Sequence, residues 1–510
     1  MTWKLVVTLA VAVAAPLAAQ PGRGVSRRPA PVLIDSMVLR AHSYFLTHDL
    51  LEGRGTGRRG NDIAALYLAA QAEALGLKGA GDEGGYYQVV PLTEAFIDTT
   101  ATRLTVSVDS TGGPASERRY STPRDFVPNV GTGTTLISFS GGLAYVGAAH
   151  DILANPGALP SLAGRVALVR GPFGSDMAAA DTLAARGVVG VVQLTGDTAT
   201  FALYVRSRGP SRMFIADSVH AASSFIPPIP DVIASPELGR ALFPDLPAAG
   251  TSDDRPRLLP GRGVVVRIGL TAQALVSHNV AAILPGADPA RRGEFVVYTA
   301  HLDHLGISTP DARGDSIYNG FSDNAVGCAM LLAIAKAMVE GPRPARSVLF
   351  LWLTGEERGL LGSDYFAARP LLPPDSLVAG INLDAGAPPA PPVRWQIPGG
   401  DRSTLGQLAI RVARQSGWEA KLAPAAPNSD YFPLLRIGVP AVFLVPDAPY
   451  EGLSADSSRA LGRRWDHYHQ AADEWKADFP FAGLVRYATY AYRLGMAAAA
   501  SPRSTMVPGR

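Results

Sequence analysis

The sequence predicts an α/β protein with a central mixed, mostly parallel β-sheet, flanking helices and a smaller β-rich insert. Three short apolar runs, residues 294–300, 347–354 and 377–383, are bounded by turn residues and are typical of buried parallel strands. An apolar helical run, 325–339, lies between the first two. The chain has 510 residues, more than a single core normally serves, so we expect two or three domains.

Composition changes along the chain predict five segments. The first has Lys4, a short apolar core and small residues at its end, which is typical of a secretory signal peptide and predicts a secreted or periplasmic protein. A later strand–helix–strand pattern carries no cluster of acids or histidines and predicts a small insert. The predicted segments are 1–20 (signal peptide), 21–118 (N-terminal helices and strands), 119–255 (β-rich insert), 256–500 (main domain) and 501–510 (tail).

Charge and cysteine content narrow the range of partners. The net charge is +2 and basic residues do not cluster with aromatic ones, so we expect no nucleic-acid partner. We expect no apolar run of membrane-spanning length after the signal peptide. The single cysteine, Cys328, permits no intrachain disulfide, and its apolar helical run predicts a core position. The sequence makes no prediction of an oligomeric state.

Side chains of the kind that bind metals follow each of the three apolar runs. His301 and Asp303 follow the first, Glu356 and Glu357 the second, and Asp384 the third. Ligands bind beyond the carboxyl ends of parallel strands, so we expect these side chains to converge at one edge of the sheet. Two adjacent carboxylates repel each other unless a cation or a shared proton compensates them. One glutamate can therefore bind metal while the other takes a proton from water.

Two further segments supply candidate ligands. Asp323 opens the apolar helical run after a Gly/Asp/Ser loop, where it can bind metal, cap the helix or do both. His467 and His469 alternate near the C-terminus; we expect His469 to bind metal and His467 to lie beside the site or on the surface. Two histidines with three carboxylates suit two catalytic divalent ions roughly 3.5–4 Å apart rather than a structural zinc site. We expect zinc, with manganese or cobalt as substitutes.

Short motifs spread over nearly the whole chain form an ordered set. They are Glu52–Gly57, Asn279–Gly286, Ala300–Gly306, Ser322–Ala325, Gly355–Glu357, Asn382–Asp384, Ser429–Asp430, Gly438–Ala441 and Tyr468–Gln470. This set resembles the M28 family of zinc aminopeptidases with an inserted protease-associated (PA) domain, whose core resembles Gly164–Gln193. The resemblance implies a zinc exopeptidase fold, with 119–255 as the PA-like insert and 256–500 as the catalytic domain. It implies hydrolysis of N-terminal residues from peptides that have a free N-terminus.

The resemblance also implies a role for each candidate. The implied ligands of the two zinc ions are His301 and Asp384 for one and Glu357 and His469 for the other, with Asp323 bridging them. Glu356 would be the general base, and Asp303 would accept the second ring N–H of His301. A non-proline cis peptide bond would follow Asp323.

The resemblance leaves one part of the site without a residue. Some family members have a tyrosine just before the Ser-Asp pair, where it stabilises the oxyanion. This chain has residues 425–428 there, Ala-Ala-Pro-Asn, and Tyr431 follows the pair. The sequence therefore assigns no oxyanion donor.

Other functions of the same scaffold stay open. A carboxypeptidase or dipeptidase would need basic residues for a terminal carboxylate, and Arg313, Arg402 and Arg436 are available. A glutaminyl cyclase would use one zinc and fewer ligands. A binding protein on an inactive peptidase scaffold would lose ligands, whereas this chain retains all five and the base.

Overall fold

The computed structural model describes residues 34–507 apart from 111–112, 130–135, 172, 174–176, 209–210 and 217–228. The predicted signal peptide, 1–20, lies outside the described residues. The α-helices are α1 (Ser36–Leu46), α2 (Arg59–Ala74), α3 (Ala149–Ala154), α4 (Met177–Ala185), α5 (Thr198–Arg208), α6 (Pro236–Leu242), α7 (Val326–Glu340), α8 (Leu361–Ala368), α9 (Thr404–Gln415), α10 (Tyr431–Arg436), α11 (Ala455–Trp465) and α12 (Ala482–Ala500). The β-strands are β1 (Lys78–Gly79), β2 (Tyr87–Ser110), β3 (Gly113–Ser121), β4 (Phe126–Asn129), β5 (Leu136–Ala148), β6 (Val166–Arg170), β7 (Gly190–Leu194), β8 (Ser211–Ile215), β9 (Asp231–Ala234), β10 (Arg257–Leu284), β11 (Phe295–His301), β12 (Gly306–Ile307), β13 (Ile317–Tyr318), β14 (Ser347–Leu353), β15 (Leu377–Asn382), β16 (Pro392–Pro398), β17 (Glu419–Ala423), β18 (Ala441–Phe443) and β19 (Val445–Tyr450).

The three apolar runs form neighbouring parallel strands. In the sheet, β11 pairs in parallel with β14 on one side and with β15 on the other, and β15 pairs in parallel with β18. Strand β10 lies antiparallel beyond β14. Helices α7 and α12 pack against β11, and α10 packs against β15. The predicted mixed, mostly parallel sheet with flanking helices is confirmed.

The sheet continues through the region predicted as an insert. Beyond β10 the order is β5, β6, β7, β9 and β4, and the pairs β5–β6, β6–β7 and β7–β9 are parallel. The predicted strand–helix–strand pattern is β6, α4 and β7, followed by β9 and α6. One apolar core of this half lies among β5, β6, β9 and β10 and includes Tyr145, Leu168 and Val266. The segment boundaries and the PA-like identity of this region stay predictions.

Strands β2 and β10 are long and pair with each other. The sequence pattern predicts two separate strands at residues 86–92 and 103–108, but β2 runs across both. Its partner is β10, and the antiparallel register extends from Val280↔Tyr87 to Arg262↔Val108 with one irregularity between Arg267 and Gly269. Of the residues between the two apolar stretches, 93–98 pair with β10, and at the register shift the side chain of Asp98 accepts from the backbone N–H groups of Thr100 and Ala101.

The apolar helix α7 lies in the core. Among the described residues, one segment, Phe321–Glu340, is long and apolar enough to cross a membrane, contrary to the expectation that no such run follows the signal peptide. Within that segment, 83% of the most apolar stretch is buried inside the fold, as is usual for a core helix. Cys328 is buried in α7, as predicted.

Candidate metal centre

The carboxyl ends of β11, β14 and β15 meet at one edge of the sheet, and the candidate side chains lie there. His301 is the last residue of β11, Glu356 and Glu357 follow β14, and Asp384 follows β15. Strand β11 lies between the other two in the parallel order, so His301 stands between acids from both neighbours. The structure thus brings these side chains to one place, as the strand pattern predicted.

One group of side chains surrounds His301. The Nε2 atom of His301 lies 2.9 Å from Oδ1 of Asp384 and 3.1 Å from Oδ1 of Asp323. The hydroxyl of Ser429 donates a hydrogen bond to the other oxygen of Asp384 and accepts one from the amide of Asn382 at 2.7 Å. Ser429 therefore holds Asp384 with one oxygen directed to His301.

A second group surrounds His469. Its Nε2 atom lies 3.2 Å from Oδ2 of Asp323 and 3.1 Å from Oε2 of Glu357. His469 belongs to the loop after α11, has a positive φ of 57°, and stacks against the ring of Tyr468 with 3.8 Å between ring centroids. The two carboxylate oxygens of Asp323 consequently face two different histidines.

The spacing within these groups fits metal ligation. With zinc bonds of 2.0–2.1 Å, two ligands of a tetrahedral ion lie about 3.3 Å apart. The four His–carboxylate distances at His301 and His469 are 2.9 to 3.2 Å. The donors are imidazole nitrogens and carboxylate oxygens, which suit zinc and also accept manganese or cobalt. The side chains therefore fit two divalent cations that share Asp323.

Asp323 is presented by a rigid turn at the start of α7. A non-proline cis peptide bond joins Asp323 to Asn324, as the resemblance implied. The side-chain amide of Asn324 donates to the backbone oxygen of Leu383 at 2.9 Å. The Asp473 carboxylate accepts from the backbone N–H groups of Ser322 and Asp323 and from the Ser322 hydroxyl. No local sequence pattern identifies Asp473, because its contribution depends on a contact between residues 150 positions apart in the chain.

Asp303 lies beside His301, but its contacts differ from the expected ones. The Nδ1 atom of His301 is 3.1 Å from the backbone oxygen of Asp303 and 3.8 Å from the carboxylate. The Asp303 carboxylate instead accepts hydrogen bonds from the hydroxyl of Thr56 at 2.7 Å and from the backbone N–H of Glu356 at 3.2 Å. The backbone carbonyl thus orients the ring, and the carboxylate holds the loop that carries the two glutamates.

The acids at the site crowd one another. Burial raises the pKa of Glu356 well above its usual value, and although His301 opposes this, the carboxylates of Asp384 and Glu357 raise it further. Burial also raises the pKa of Asp430 to about 7, with Asp384 adding to the shift. A nearby cation reverses such shifts because it stabilises the ionised carboxylate. The electrostatics of the cluster therefore favour bound cations.

A buried arginine that the sequence analysis did not single out lies behind the site. The Arg54 side chain is 1% exposed and donates to the backbone oxygens of Leu46, Leu302, Asn319 and Gly320. These carbonyls come from the end of α1, from the segment after β11 and from the segment before Asp323. The only sequence signal was the position of Arg54 between glycines in the motif Glu52–Gly57, a signal that does not distinguish a buried cation from a loop residue.

His304 is a second residue whose position was not predicted. It follows Asp303 in the motif Ala300–Gly306, and its buried ring places Nδ1 2.6 Å from Oε1 of Glu357 and 3.8 Å from Oδ2 of Asp323. Its closeness in sequence to His301 was the available signal. The potential ligand atoms of His304, Asp323 and Glu357 lie within 4.8 Å of one another. His467 is not part of this group or of the group around His301, and its backbone oxygen accepts from the N–H of Gln470.

Tyr431 is not available as an oxyanion donor. It is fully buried, and its hydroxyl both donates to the backbone oxygen of Ala426 and accepts from the backbone N–H of the same residue, each at 2.8 Å. Tyr431 therefore fixes the loop that precedes the Ser-Asp pair. The tyrosine that the structure places beside the metal candidates is Tyr468.

A cavity of about 480 Å³ opens beside the two groups. Asp323 and Asp384 form its inner wall, and the proline-rich loop after Asp384 forms one side. Aromatic rings and a third carboxylate complete the lining. The remaining lining residues are Ser322, Ala385, Gly386, Ala387, Pro388, Pro389, Pro446, Tyr450, Gly462, Trp465, Asp466 and Tyr468.

Comparison with known proteins relates this site to one family. Residues 279–490 match the profile of peptidase family M28. Leupeptin-inactivating enzyme 1 of Streptomyces exfoliatus is 26% identical over 210 residues, which are 40% of this chain and 44% of that protein. Aminopeptidase Y of Saccharomyces cerevisiae is 27% identical over 210 residues, 38% of each chain. The chain thus matches less than half the length of these relatives.

The fold also resembles a solved structure over nearly its full length. An aminopeptidase from Aneurinibacillus sp. strain AM-1 superposes with a TM-score of 0.54 at 18% identity, covering 93% of this chain and 95% of that one. At this identity the likeness concerns the fold. The family profile covers the part of the chain that carries His301, Asp323, Glu357, Asp384 and His469, and this part is similar to peptidase family M28.

Proposed function

We propose that this protein is an exported dizinc aminopeptidase that hydrolyses N-terminal residues from peptides. The observation that carries the proposal is the position of Asp323, whose two carboxylate oxygens each face a separate histidine–carboxylate pair. Two relatives over the matched segment, one of them named as an aminopeptidase, support the same class of activity. The apolar leader at residues 1–20 supports export.

The proposed ligands divide into two sets. His301 and Asp384 would hold one zinc, Glu357 and His469 would hold the other, and Asp323 would bridge them. Zinc in such a site supplies Lewis acidity, which polarises a carbonyl and lowers the pKa of water toward neutrality. His301 is almost completely buried, so bulk water does not reach the proposed zinc site from the side of the sheet.

Glu356 is proposed as the general base. Its side chain is not among the proposed ligands, and it lies one residue before Glu357 on a loop that the Asp303 carboxylate holds through the backbone N–H of Glu356. A base of this kind takes a proton from the attacking water and returns it to the leaving amine.

The charge of the cavity supports cleavage at the amino end. Among the described residues that line it there is no arginine or lysine, and Asp466 adds a carboxylate to those of Asp323 and Asp384. Asp466 is not a proposed ligand and can pair with an α-ammonium group, whereas no side chain of this lining carries a positive charge for a terminal carboxylate. Of the arginines considered for a carboxypeptidase, Arg436 pairs with Asp364 and Arg313 pairs with Asp311. Neither contributes to the cavity lining.

The remaining alternatives fit the site less well. A glutaminyl cyclase uses one zinc, whereas the side chains here form two groups that share Asp323. A binding protein on an inactive scaffold would be expected to lose ligands, whereas all five proposed ligands lie within these two groups. The structure offers no observation that favours either alternative.

The role of Glu356 is tested by Glu356→Gln. The variant should retain zinc and lower kcat by about 10²- to 10⁴-fold, because only the proton acceptor is removed. Zinc content and peptide hydrolysis are measured on the same preparation. Glu237→Gln, at an exposed ion pair with Arg118, is the matched control and should keep wild-type activity. Wild-type turnover by Glu356→Gln would exclude Glu356 as the base.

The choice of peptide end is tested with three substrates of one sequence: a peptide with both ends free, its N-acetylated form and its C-amidated form. We expect cleavage of the free and amidated peptides, release of the first residue, and loss of activity with chelator. Cleavage of the N-acetylated peptide from its carboxyl end would contradict an aminopeptidase.

A further inference from the structure

His304 is a buried residue that the proposed ligand set leaves without a role. Its side chain is 0% exposed. Its backbone pairs with the glycine-rich loop, since the N–H of His304 donates to the oxygen of Arg54 at 3.2 Å and a bridge joins it to Gly55. The ring packs against Gly320, where a β-carbon would come within 2.5 Å of it. The backbone and the ring are therefore held in one position under Glu357.

The contact between His304 and Glu357 is a hydrogen bond rather than a pair of metal ligands. Its N···O distance of 2.6 Å is well below the roughly 3.3 Å expected between two ligands of one tetrahedral zinc. The distance from His469 Nε2 to the other oxygen of Glu357 is 3.1 Å, which agrees with that spacing. Nδ1 of His304 thus donates to Oε1 of Glu357, and Oε2 faces His469.

The rest of the His304 ring makes no polar contact. Its Nε2 atom is buried and has no hydrogen-bond partner among the described residues. Among the described residues, the hydrogen bond to Glu357 is therefore the polar contact that orients this side chain. A matching arrangement exists at the other metal candidate, where Ser429 donates to one oxygen of Asp384 and the second oxygen faces His301.

We propose that His304 is a positioning residue that sets the affinity of one of the two cation sites. It holds the carboxylate of Glu357 by Oε1 and so keeps Oε2 directed to the space between His469 and Asp323. Without the donor, the carboxylate can rotate, and its ordering has to be supplied by the cation. This inference rests on the proposed dizinc function and adds that the second site depends on His304.

Three substitutions separate the hydrogen bond from the rest of the ring. His304→Asn would place an amide N–H close to the position of Nδ1, so this variant keeps the donor and loses only the unpaired Nε2. His304→Gln has the same amide one carbon farther out, near the position of Nε2. His304→Ala removes the donor altogether. Circular dichroism establishes which variants are folded.

The measurement is zinc stoichiometry and affinity, determined with Zn²⁺ alone against a chelator of known affinity. We expect two zinc ions per chain in the wild type and in His304→Asn. In His304→Ala and His304→Gln one ion should bind as in the wild type, and the Kd of the other should rise about 10- to 100-fold. The absorption spectrum of the Co²⁺ form should show the same loss at one site.

The outcomes separate the two proposals. Unchanged affinity for both ions in His304→Ala would overturn the positioning role while leaving the dizinc site intact. Equal losses in His304→Asn and His304→Ala would overturn it as well, because the hydrogen-bond donor would then not be the relevant group. If His304→Ala does not fold, the comparison of His304→Asn with His304→Gln decides in the same way. Fewer than two ions in the wild type would overturn both proposals.

Discussion

At the scale of residues, the buried guanidinium of Arg54 offsets part of the negative charge of the carboxylates at the site. Arg54 lies behind the cluster, and burial lowers the pKa of its guanidinium, while Cys328 and the carboxylates of Asp303, Asp323 and Asp473 oppose that shift. Its four carbonyl partners tie three segments together around the turn that presents Asp323. Arg54 therefore both stabilises the acids and fixes the backbone that positions them.

His42, which belongs to neither group of metal candidates, provides a test of stability against pH. Burial lowers the pKa of His42 to about 4 from 6.5, and its Nδ1 lies 2.7 Å from the hydroxyl of Tyr67. The folded state binds this proton less readily than the unfolded state. Protonation of His42 therefore does not affect the free energy of unfolding above pH 6.5, and it lowers that free energy as the pH falls from 6.5 to 4. Between pH 7 and pH 4.5, the free energy of unfolding of His42→Asn should therefore fall by about 2–3 kcal/mol less than that of the wild type.

The measurement is urea denaturation at both pH values with chelator present throughout, so that metal release does not contribute. His150→Asn is the matched control, at a side chain that is 82% exposed, and should lose as much stability as the wild type. An equal loss in His42→Asn and the wild type would show that protonation of His42 does not contribute.

The residues of the site differ in how far sequence could predict them. His301, Glu357 and Asp384 follow apolar runs, and strand order brings such positions to one edge without any knowledge of side-chain contacts. Asp473 and Arg54 act through backbone groups far away in the chain, and no local pattern records those partners. Their contributions became visible only from the tertiary contacts.

At the scale of elements, α12 packs unusually close to the central sheet. The hydroxyl of Tyr298 on β11 donates to the backbone oxygen of Ala491 at 2.9 Å. A β-carbon at Gly495 would lie 1.8 Å from that hydroxyl oxygen. Gly495→Ala should therefore lower the free energy of unfolding by about 1–3 kcal/mol, because the helix has to move away from the strand.

Gly462, in the exposed helix α11, is the control for this prediction. A β-carbon added at Gly462 would have the hydroxyl of Tyr450, 3.8 Å away, as its nearest neighbour. Gly462→Ala should therefore stabilise the protein by up to about 1 kcal/mol. Urea denaturation of both variants measures the two changes. Equal stabilisation by both substitutions would contradict the close packing of α12.

The predictability of elements follows the range of the contacts that form them. The strands of the site were predicted within one or two residues because their apolar runs are short and bounded by turn residues. The length of β2 and β10 was not predicted, since each continues through polar residues that pair with other strands. Strand formation there depends on a partner more than 150 residues away in sequence.

At the scale of the whole molecule, one strand joins the two halves of the sheet. Strand β10 pairs with β5 at one end and with β14 at the other, so the region predicted as an insert continues the sheet that carries the metal candidates. The α/β class was predictable from composition and periodicity. The continuity of the sheet through β10 was not predictable. It arises from strand pairing, and the local sequence of a strand does not show which strand it pairs with.

The proposed hydrolysis requires two cations that share one aspartate. X-ray diffraction from zinc-loaded crystals, collected on both sides of the zinc absorption edge, locates such ions without any assumption about ligands. We expect two anomalous peaks, one among His301, Asp323 and Asp384 and one among Asp323, Glu357 and His469. A single peak, or peaks that do not contact Asp323, would contradict the account.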